Sequence, residues 1–432
     1  MRILVTGAYG FLGAHIASTL HAAGHEVTGC GRDLRFGRRI LPGLTWIGCD
    51  YNRDVTASAW KPRLTDIDAV VNCVGILQST ARDSADRAHF QAPAALFAAC
   101  EQAEVRRVVQ VSALGVEADT DYARTKSAGD QALRSSDLDW VILKPSLVYG
   151  RGSYGGTSLL RGLAGLPGIV TVVDGGGQRF QPVHIDDLAT VVADMVAPGA
   201  PSRAEFAVVG PEILTVRDIV LSYRRWLGFP DAPIVSLPAA LGRALTFFGD
   251  LAGWLGTPTP FRGTALAQMI HGSVNDPADG MPALPTMPTR MAEALAATPA
   301  TVQDRWHARL YFLKPLLRVV LGAFWLATGI ITLLPAGFAQ AITLAKQMAL
   351  PVVSAEALVV GGAILDIVLG LMLLVRWRVV TVGWVQIALG LTYLVVLTVA
   401  VPSLWADALG PLVKVVPILA ATLVMIAVER ER

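Results

Sequence analysis

Short β-branched runs alternate with alanine-rich segments of helical length through the first half of the chain. The runs fall at residues 3–5, 26–28, 69–72, 105–111 and 140–143, and a further one lies near 170–173. Strands that are buried on both faces read as continuous apolar stretches, and their alternation with helices is typical of a parallel sheet. The pattern therefore predicts an α/β fold built on a doubly wound parallel sheet.

The C-terminal third of the chain is apolar over much longer stretches. Uncharged runs of 27 residues at 319–345 and 28 residues at 379–406 exceed the roughly 20 residues that span hydrocarbon. Two weaker apolar runs occupy residues 357–375 and 411–428. We predict an all-α domain of four transmembrane helices.

Proline and glycine interrupt the chain between residues 256 and 299. The prolines of this stretch are Pro258, Pro260, Pro277, Pro282, Pro285 and Pro288. Such punctuation is typical of turns and loops. We predict a lid or a linker between the α/β part and the transmembrane part.

The charged residues follow the same division. Of the 70 Asp, Glu, Lys and Arg residues, 58 lie in the first 315 positions, where 29 basic residues balance 29 acidic ones. The balance leaves no basic excess to attract nucleic acid, so we expect no nucleic-acid partner. The mean hydropathy of +0.50 is high for a soluble protein, and we expect the remainder of the chain to lie in the lipid bilayer.

Basic residues concentrate on one side of the predicted spans. They are Arg305, Arg309, Lys314 and Arg318 before the first span, and Arg376 and Arg378 between the second and third. Positive loops remain in the cytoplasm, so we expect a multi-pass protein of the inner (plasma) membrane with both termini in the cytoplasm. The N-terminal sequence lacks the regions of a signal peptide, which also favours a cytoplasmic N-terminal domain.

The four cysteines show no spacing that suggests a metal site. Cys30, Cys49, Cys73 and Cys100 form no CxxC pair, and no histidine follows them at the sequence spacing typical of zinc ligands. We expect buried, reduced thiols and no bound metal.

A glycine-rich turn, Thr6-Gly7-Ala8-Tyr9-Gly10-Phe11-Leu12-Gly13, follows the first predicted strand. In such a turn Gly7 permits the tight bend, Gly10 lets backbone N–H groups approach a diphosphate, and Gly13 lets helix and strand pack closely. The following helix, expected to run to about residue 23, directs its positive N-terminus at the phosphates. The turn predicts a dinucleotide site to which Tyr9, Phe11 and Leu12 also contribute.

The second predicted strand ends at Arg32, where an acidic residue would bind the ribose 2′-hydroxyl of NAD. A guanidinium suits a 2′-phosphate, so Arg32, together with Arg35, favours NADP(H) over NAD(H). The alternative is that Arg32 belongs to a solvated basic loop. Asp50 ends the third strand, where it either accepts a hydrogen bond from the adenine amino group or caps a turn.

Tyr122 and Lys126 lie four residues apart, which places them on one face of a predicted helix. Ser112 directly follows the strand at 105–111, at the edge of the sheet where ligands bind in open α/β folds. We expect Lys126 to lower the pKa of the phenol, Tyr122 to exchange a proton with a substrate hydroxyl or carbonyl, and Ser112 to bind that oxygen. The alternative is a surface helix with a packed tyrosine and a solvated lysine.

Two further motifs are Lys144-Pro145-Ser146-Leu147-Val148-Tyr149-Gly150 and Phe180-Gln181-Pro182-Val183-His184-Ile185-Asp186-Asp187. Taken as a set, the glycine-rich turn, Ser112, the Tyr122/Lys126 pair and these two motifs resemble the extended or atypical short-chain dehydrogenases/reductases over about residues 1–235. Similar sequences include NAD-dependent epimerase/dehydratase proteins and the NADPH-binding accessory subunit of respiratory complex I. The resemblance implies a Rossmann-type sheet with a small substrate-binding region. It also implies that Pro145 and the stretch containing Asn72, Val74 and Gly75 line the cofactor, with Lys126 in contact with it.

Asp186 and Asp187 lie at the end of the second of these motifs, before an apolar segment at 188–195. A short carboxylate at that position commonly caps a helix. We expect one of the two to be the N-cap, and we assign no role to His184.

The membrane part resembles the four-helix DoxX-like domain over about residues 312–428, on the motifs at 324–330, 364–371 and 402–414. The predicted division is a NAD(P)-binding domain at 1–235, a lid or linker at 236–311, and a DoxX-like transmembrane domain at 312–432. Asp366 lies near mid-span, where a carboxylate normally has a functional role and a partner. Lys414 is the candidate partner; alternatively, Lys414 reaches the interface and Asp366 binds groups nearby.

These features predict a membrane-anchored, NADP(H)-dependent oxidoreductase that transfers hydride to or from a carbonyl or hydroxyl. A lipophilic small-molecule substrate is expected, because tethering at the bilayer raises encounter with such molecules. The alternative is a non-catalytic NADPH-binding module that stabilises or regulates a membrane redox complex. A sugar-nucleotide epimerase is disfavoured by Arg32.

Overall fold

The computed structural model describes most of the chain in two units. The described residues are 1–80, 82–115, 119–152, 155–238, 240–241, 249, 263–275, 281, 284, 287–347, 352–408 and 410–430. Apart from a few residues, the first unit ends at Ala308 and the second begins at Arg309.

The described strands all belong to the first unit. They are β1 (Arg2–Thr6), β2 (Glu26–Gly31), β3 (Thr45–Gly48), β4 (Ala69–Asn72), β5 (Arg107–Val111), β6 (Trp140–Pro145), β7 (Val148–Tyr149), β8 (Val170–Val173), β9 (Arg179–Phe180), β10 (Val183–His184), β11 (Ala204–Val208), β12 (Leu214–Thr215) and β13 (Ile234–Leu237).

The helices of the first unit follow or separate these strands. They are α1 (Phe11–Ala22), α2 (Leu34–Ile40), α3 (Ala57–Trp60), α4 (Ala92–Gln102), α5 (Asp121–Arg134), α6 (Gly156–Ala164), α7 (Ile185–Val196), α8 (Val216–Trp226), α9 (Gly263–His271) and α10 (Met291–Ala297). A π-helical turn, Arg87–Gln91, leads into α4.

Seven of the strands form one parallel sheet in the order β11-β6-β5-β4-β1-β2-β3. The sequence order of the strands reverses between β1 and β4. In open α/β sheets, ligands bind in the crevice outside the carboxyl ends of the strands at such a reversal. The predicted doubly wound, Rossmann-type sheet is confirmed.

Side chains of the central strands alternate between the two faces of this sheet. Ile3 and Val5 lie in the apolar cluster that contains α1 and α7, whereas Leu4 lies in the cluster that contains α4. All three side chains are fully buried. Burial on both faces explains why these strands read as continuous apolar runs.

A smaller region of the first unit is built from short paired strands and three helices. The pairs are β7 with β10, β9 with β12, and β8 with β13. Residues 170–173 are therefore a strand, as predicted, but one that lies outside the main sheet. A third apolar cluster joins α6, α8 and α10 around Leu160, Tyr223 and Leu295.

The predicted lid or linker at 236–311 is described only in part. Pro288 is described, whereas Pro258, Pro260, Pro277, Pro282 and Pro285 lie outside the described residues. Met291 and Leu295 of α10 are buried in the third cluster. This portion of the segment therefore packs into the first unit.

The remaining helices are α11 (Val302–Leu333), α12 (Pro335–Gln347), α13 (Val352–Leu374), α14 (Val379–Ala400) and α15 (Pro411–Arg430). Four stretches among the described residues are long and apolar enough to cross a membrane. They are Val302–Leu333, Ser354–Leu374, Val379–Ala400 and Pro411–Glu429. The prediction of four candidate spans is confirmed.

The uncharged run at 319–345 is not a single helix, so this part of the prediction is wrong. The first span ends at Leu333, and a separate helix begins at Pro335. Proline has no backbone N–H and disfavours helical backbone in the residue before it, here Leu334. The span was predicted from the absence of charged residues alone, and that criterion does not detect the helix break at Pro335.

Asp366 lies on α13 where this helix packs closely against α11. A Cβ atom on Gly370 would lie 2.5 Å from the Leu326 nitrogen, and small residues permit such close approach between membrane helices. Asp366 is buried, whereas Lys414 is exposed, and the described contacts include no ion pair between them. The predicted Asp366–Lys414 pair is not formed among these contacts, and Asp366 Oδ1 has no hydrogen-bond partner among the described residues. That Lys414 reaches the interface stays a prediction.

Candidate functional site

The glycine-rich turn joins β1 to α1 with little free space. Gly7 has a φ of +66°, and its N–H donates to the Cys30 carbonyl at 3.0 Å. A Cβ atom on Gly13 would lie 2.2 Å from the Gly7 carbonyl oxygen. No side chain of the described residues caps α1 at Gly10, so the N–H groups of its first turn are available to an anion.

Arg32 lies directly after β2 and binds a carboxylate from a distant loop. Its Nη1 and Nη2 donate to the two carboxylate oxygens of Asp83 at 2.5 and 3.4 Å. Burial alone would raise the pKa of Asp83, but hydrogen bonds from Arg32 and Asn52 outweigh burial and lower it. Arg32 is exposed, as a solvated loop residue would be, but its guanidinium is paired with Asp83. Asp83 would therefore compete with a 2′-phosphate for these donors.

Tyr9 closes the side of the crevice at the end of β2. Its hydroxyl oxygen accepts from the backbone N–H groups of Arg32 and Asp33 at 3.1 and 3.3 Å. Its ring stacks on Trp46 with centroids 6.1 Å apart. Phe11 and Leu12 are partly buried against the apolar cluster of α1.

Asp50 caps a turn, which is one of the two roles predicted for it. Its Oδ1 accepts from the Asn52 N–H at 3.0 Å. This hydrogen bond is the turn cap. Recognition of an adenine amino group by Asp50 stays a prediction.

Asn72 is a fully buried junction at the carboxyl edge of the sheet. Its Oδ1 accepts from the Thr6 and Tyr51 hydroxyls at 2.7 and 2.8 Å. Its Nδ2 donates to Gln110 Oε1 at 2.7 Å. The side chain thus joins the ends of β1, β4 and β5, and its contact with a cofactor stays a prediction.

Val74 and Gly75 bring the glycine turn and the predicted proton-transfer residues to one place. A Cβ atom on Gly7 would lie 3.1 Å from Val74 Cγ2, and one on Gly75 would lie 3.4 Å from Lys126 Nζ. Pro145 ends β6, and its carbonyl accepts from the Leu114 N–H at 3.0 Å. The residues implied for cofactor contact therefore line the same edge of the sheet.

Lys126 is buried on the inner face of α5, with 4% of its surface exposed. Its ammonium donates to the Val111 carbonyl at 3.1 Å. Burial lowers the pKa of Lys126, while the charge of Asp130 opposes this shift. The alternative of a solvated lysine on a surface helix is therefore wrong.

Tyr122 lies one turn before Lys126, with its ring 5.4 Å from the His89 ring in an edge-on contact. Burial, and then the charge of Asp130, raise the pKa of Tyr122 to about 12. The expected lowering of this pKa by Lys126 is thus not found. The physical reason is that burial disfavours the phenolate, while the ammonium is engaged by the Val111 carbonyl.

Ser112 is buried, and its hydroxyl proton is bound by a carboxylate. Its Oγ donates to Asp130 Oδ2 at 2.5 Å. Asp130 Oδ1 has no partner among the described residues, and burial raises the pKa of this carboxyl. Asp130 was not predicted as a site residue, although its position four residues after Lys126 is a usable signal for contact on one helix face.

His89 is a second buried residue that the sequence did not reveal. The Ile76 N–H donates to His89 Nε2 at 3.1 Å, and Nδ1 lies 2.8 Å from Thr125 Oγ1. Because Nε2 accepts, Nδ1 carries the proton and donates to Thr125. Burial lowers the pKa of His89 to about 2, so the ring stays neutral beside Tyr122. It lies in the π-helical turn, which no spacing in the sequence indicates.

The cap of α7 differs from the prediction. The helix begins at Ile185, and His184 is its N-cap, with Nδ1 accepting from the Asp186 N–H at 3.4 Å. Asp186 and Asp187 therefore both lie in the first turn, where their negative charges interact favourably with the positive end of the helix dipole. Asp187 instead accepts from the Thr289 N–H at 2.8 Å.

Part of the predicted lid contacts the rim of the crevice. Gln268 donates to the hydroxyl of Thr120, the N-cap of α5, at 2.5 Å. Ser146, after β6, donates to the Ser273 carbonyl at 2.6 Å. These contacts place α9 and the residues after it beside the helix that carries Tyr122.

Comparison with known families matches both parts of the chain. Residues 3–205 match the NAD dependent epimerase/dehydratase family, and residues 322–423 match the DoxX-like family. Solved structures similar in fold include the Bordetella bronchiseptica enzyme WbmG in complex with NAD and UDP, with a TM-score of 0.54 and 16% identity over 71% of this chain and 96% of that chain. Another is gox2253, with a TM-score of 0.53 and 19% identity over 71% and 99%.

Curated relatives match between 43% and 56% of this chain. The chain is 22% identical over 295 residues to the NADH-ubiquinone oxidoreductase 40 kDa subunit of Neurospora crassa, covering 56% of this chain and 77% of that protein. It is 26% identical over 258 residues to NADH dehydrogenase (ubiquinone) 1 alpha subcomplex subunit 9 of Arabidopsis thaliana, covering 54% and 62%. It is also 26% identical over 194 residues to the ceramide reductase of Caulobacter vibrioides, covering 43% and 58%. The last two alignments span less than two thirds of those proteins.

The sheet order, the glycine turn and these matches agree with one another. The chain carries an N-terminal domain of the NAD-dependent epimerase/dehydratase family, an extended short-chain dehydrogenase/reductase related to these complex I subunits, and a C-terminal DoxX-like domain.

Proposed function

We propose that the protein is a membrane-anchored, NADP(H)-dependent oxidoreductase acting on a carbonyl or hydroxyl carbon. The observation that supports this most directly is that the glycine-rich turn and the buried Lys126 lie close together at one edge of the sheet. The uncapped turn before α1 and the buried Lys126 both adjoin the segment containing Val74 and Gly75. The close glycine turn and its free amides fit a dinucleotide diphosphate, and NADP(H), when bound, would supply or accept the hydride.

Tyr122 is the proton donor in the proposed reaction. With a pKa of about 12, its phenol is protonated at neutral pH and can donate to a carbonyl oxygen as negative charge develops there. Because Ser112 donates to Asp130, the serine offers its lone pairs and accepts a hydrogen bond from the phenol or from a substrate hydroxyl. The resting protonation state therefore favours reduction of a carbonyl.

The preference for NADP(H) is proposed from Arg32 and its contact with Asp83. We expect Arg32→Gln to weaken NADPH binding by about tenfold or more, since a charge-assisted hydrogen bond contributes about 1.5–3 kcal/mol. Asp83→Asn should act in the opposite direction, because it removes a negative charge that competes with the 2′-phosphate. Calorimetric titration with NADPH and with NADH measures both effects.

For NADH, both substitutions should have little effect, and Arg38→Gln on the exposed surface of α2 serves as the charge-matched control. Equal losses for NADPH and NADH in Arg32→Gln would contradict a role in 2′-phosphate recognition. They would point instead to a general loss of order at the end of β2.

A lipophilic substrate is proposed because the α/β domain is fused to four candidate membrane spans. We expect the full-length protein in phosphatidylcholine vesicles to reduce a long-chain ketone with a kcat/KM at least about tenfold above that of its short-chain homologue, because both reactants share the bilayer. The measurement is the loss of NADPH absorbance. Equal kcat/KM for the two ketones would remove the support for a lipid-borne substrate and leave the oxidoreductase proposal in place.

A second candidate function is a non-catalytic NADPH-binding module attached to a membrane redox complex. It is favoured by the similarity to complex I subunits. The same nucleotide site would serve it, but Tyr122 would not be needed for chemistry. Substitution of Tyr122 by phenylalanine therefore separates the two candidates.

A further inference from the structure

A cavity of about 340 Å³ lies at one end of the second unit. It is lined by Arg376, Arg378, Val379, Val380, Thr381 and Glu429. The lining thus combines the link between α13 and α14, the first turn of α14 and the end of α15. Two guanidinium groups and one carboxylate share this space.

The first turn of α14 presents unsatisfied backbone donors to the cavity. The first bond within the helix runs from the Val382 N–H to the Arg378 carbonyl at 3.0 Å. No side chain of the described residues caps this end, and the first turn holds no acidic residue. The N–H groups of residues 379–381 therefore need partners, and the N-terminus of a 22-residue helix favours a negative charge.

Basic side chains outnumber the acid beside this helix end. Glu429 accepts from Arg376 Nε at 2.9 Å and lies 3.6 Å from Lys314 Nζ. Arg318, one turn after Lys314 on α11, is 7% exposed, and its Nε has no partner among the described residues. Arg376 and Lys314 therefore lie against this carboxylate, Arg378 lines the same cavity, and the buried Nε of Arg318 remains to be satisfied.

The surroundings of the cavity suit an anion that carries an apolar tail. Val375 and Trp377 are 42% and 54% exposed beside Arg376. Exposed apolar side chains continue along the candidate spans, with Leu371 on α13 and Trp384 on α14. Tryptophan is enriched where membrane meets water, and basic pockets between membrane helices bind lipid headgroups.

We propose that this cavity binds the phosphate headgroup of an anionic phospholipid. The first-turn amides of α14, Arg376 and Arg378 hold the phosphate, and the acyl chains lie along the exposed apolar faces of α13 and α14. Glu429 keeps Arg376 and Lys314 in place beside the headgroup. The site is independent of the hydride chemistry proposed above.

Native mass spectrometry of the full-length protein in detergent tests this proposal. Phosphatidylglycerol and phosphatidylcholine with identical acyl chains are titrated separately, and phosphatidylglycerol is expected to bind more tightly. Arg378→Gln should weaken phosphatidylglycerol binding by about fivefold, the effect typical of one basic residue at an anionic lipid. Arg378→Lys should retain most of the affinity, and Lys346→Gln, which removes an exposed charge near the end of α12, should bind as the unmodified protein does.

The comparison of the two lipids on the unmodified protein needs no variant, so misfolding of Arg378→Gln cannot obscure the result. Equal binding of the two lipids, or unchanged phosphatidylglycerol binding in Arg378→Gln, would overturn the proposal. A titration with inorganic phosphate distinguishes the source of the anion. If inorganic phosphate displaces phosphatidylglycerol at equal concentration, the site recognises a soluble phosphate and the lipid assignment fails.

Discussion

Substitution of Tyr122 by phenylalanine is expected to lower kcat by about 10²–10⁴-fold, the usual contribution of a positioned proton donor. NADPH affinity should remain that of the unmodified protein. The ring of Tyr122 packs edge-on against His89, and phenylalanine preserves this contact while removing only the hydroxyl. Steady-state oxidation of NADPH by a carbonyl substrate gives kcat, and calorimetry gives the affinity.

The pH profile provides a second readout of the same residue. Because burial raises the pKa of Tyr122 to about 12, the phenol keeps its proton throughout the neutral range. Because the phenol does not titrate between about pH 6 and 9, kcat/KM for reduction should stay constant over this range. Oxidation needs the phenolate, so its rate should increase as the pH rises. An inflection near neutral pH that disappears in Tyr122→Phe would show that cofactor binding lowers this pKa.

Tyr223→Phe is the matched control, because it removes a buried hydroxyl from the third apolar cluster rather than from the crevice. It should leave kcat and NADPH affinity unchanged. If Tyr122→Phe also turns over normally, the phenol is not the proton donor. A Tyr122→Phe protein that binds NADPH and restores function to a deletion strain, with no detectable turnover in either form, would favour the non-catalytic module.

The sequence predicted the fold and the close packing of the glycine-rich turn. Strands such as β1 alternate Ile3, Leu4 and Val5 between two buried faces, so an apolar run was a sufficient signal. The glycine turn was also recognisable, because the close approach of Gly13 to Gly7 leaves no room for a side chain. These features depend on neighbours in sequence, and local spacing reveals them.

The features that were missed depend on partners far apart in sequence. Arg32 meets Asp83, 51 residues later, and Asn72 binds Gln110, 38 residues later. His89 reaches Tyr122 through a π-helical turn that has no sequence signature. The direction of the Ser112 proton is also set by tertiary contact, since Asp130 accepts it from the middle of α5. Spacing identifies which residues share an edge of the sheet, but not which side chains have already found partners.

Gly13→Ala is expected to abolish measurable cofactor binding and to lower the free energy of unfolding by about 1–3 kcal/mol. The added Cβ would lie 2.2 Å from the Gly7 carbonyl oxygen and 2.8 Å from its carbon. Both atoms belong to the backbone, so relief requires α1 to move away from β1. That movement displaces the N–H groups which the diphosphate needs, so binding fails even in molecules that remain folded. Calorimetry with NADPH and thermal unfolding measure the two effects.

Gly48→Ala separates this effect from the general cost of replacing a glycine. Gly48 ends β3, and an added Cβ there meets no atom within 4 Å, so the variant should bind NADPH normally and unfold at or slightly above the usual temperature. If Gly13→Ala instead binds NADPH with normal affinity, the first turn of α1 does not hold the diphosphate. The contact between turn and helix would then serve packing alone, and the coenzyme would have to be sought elsewhere along the carboxyl edge of the sheet.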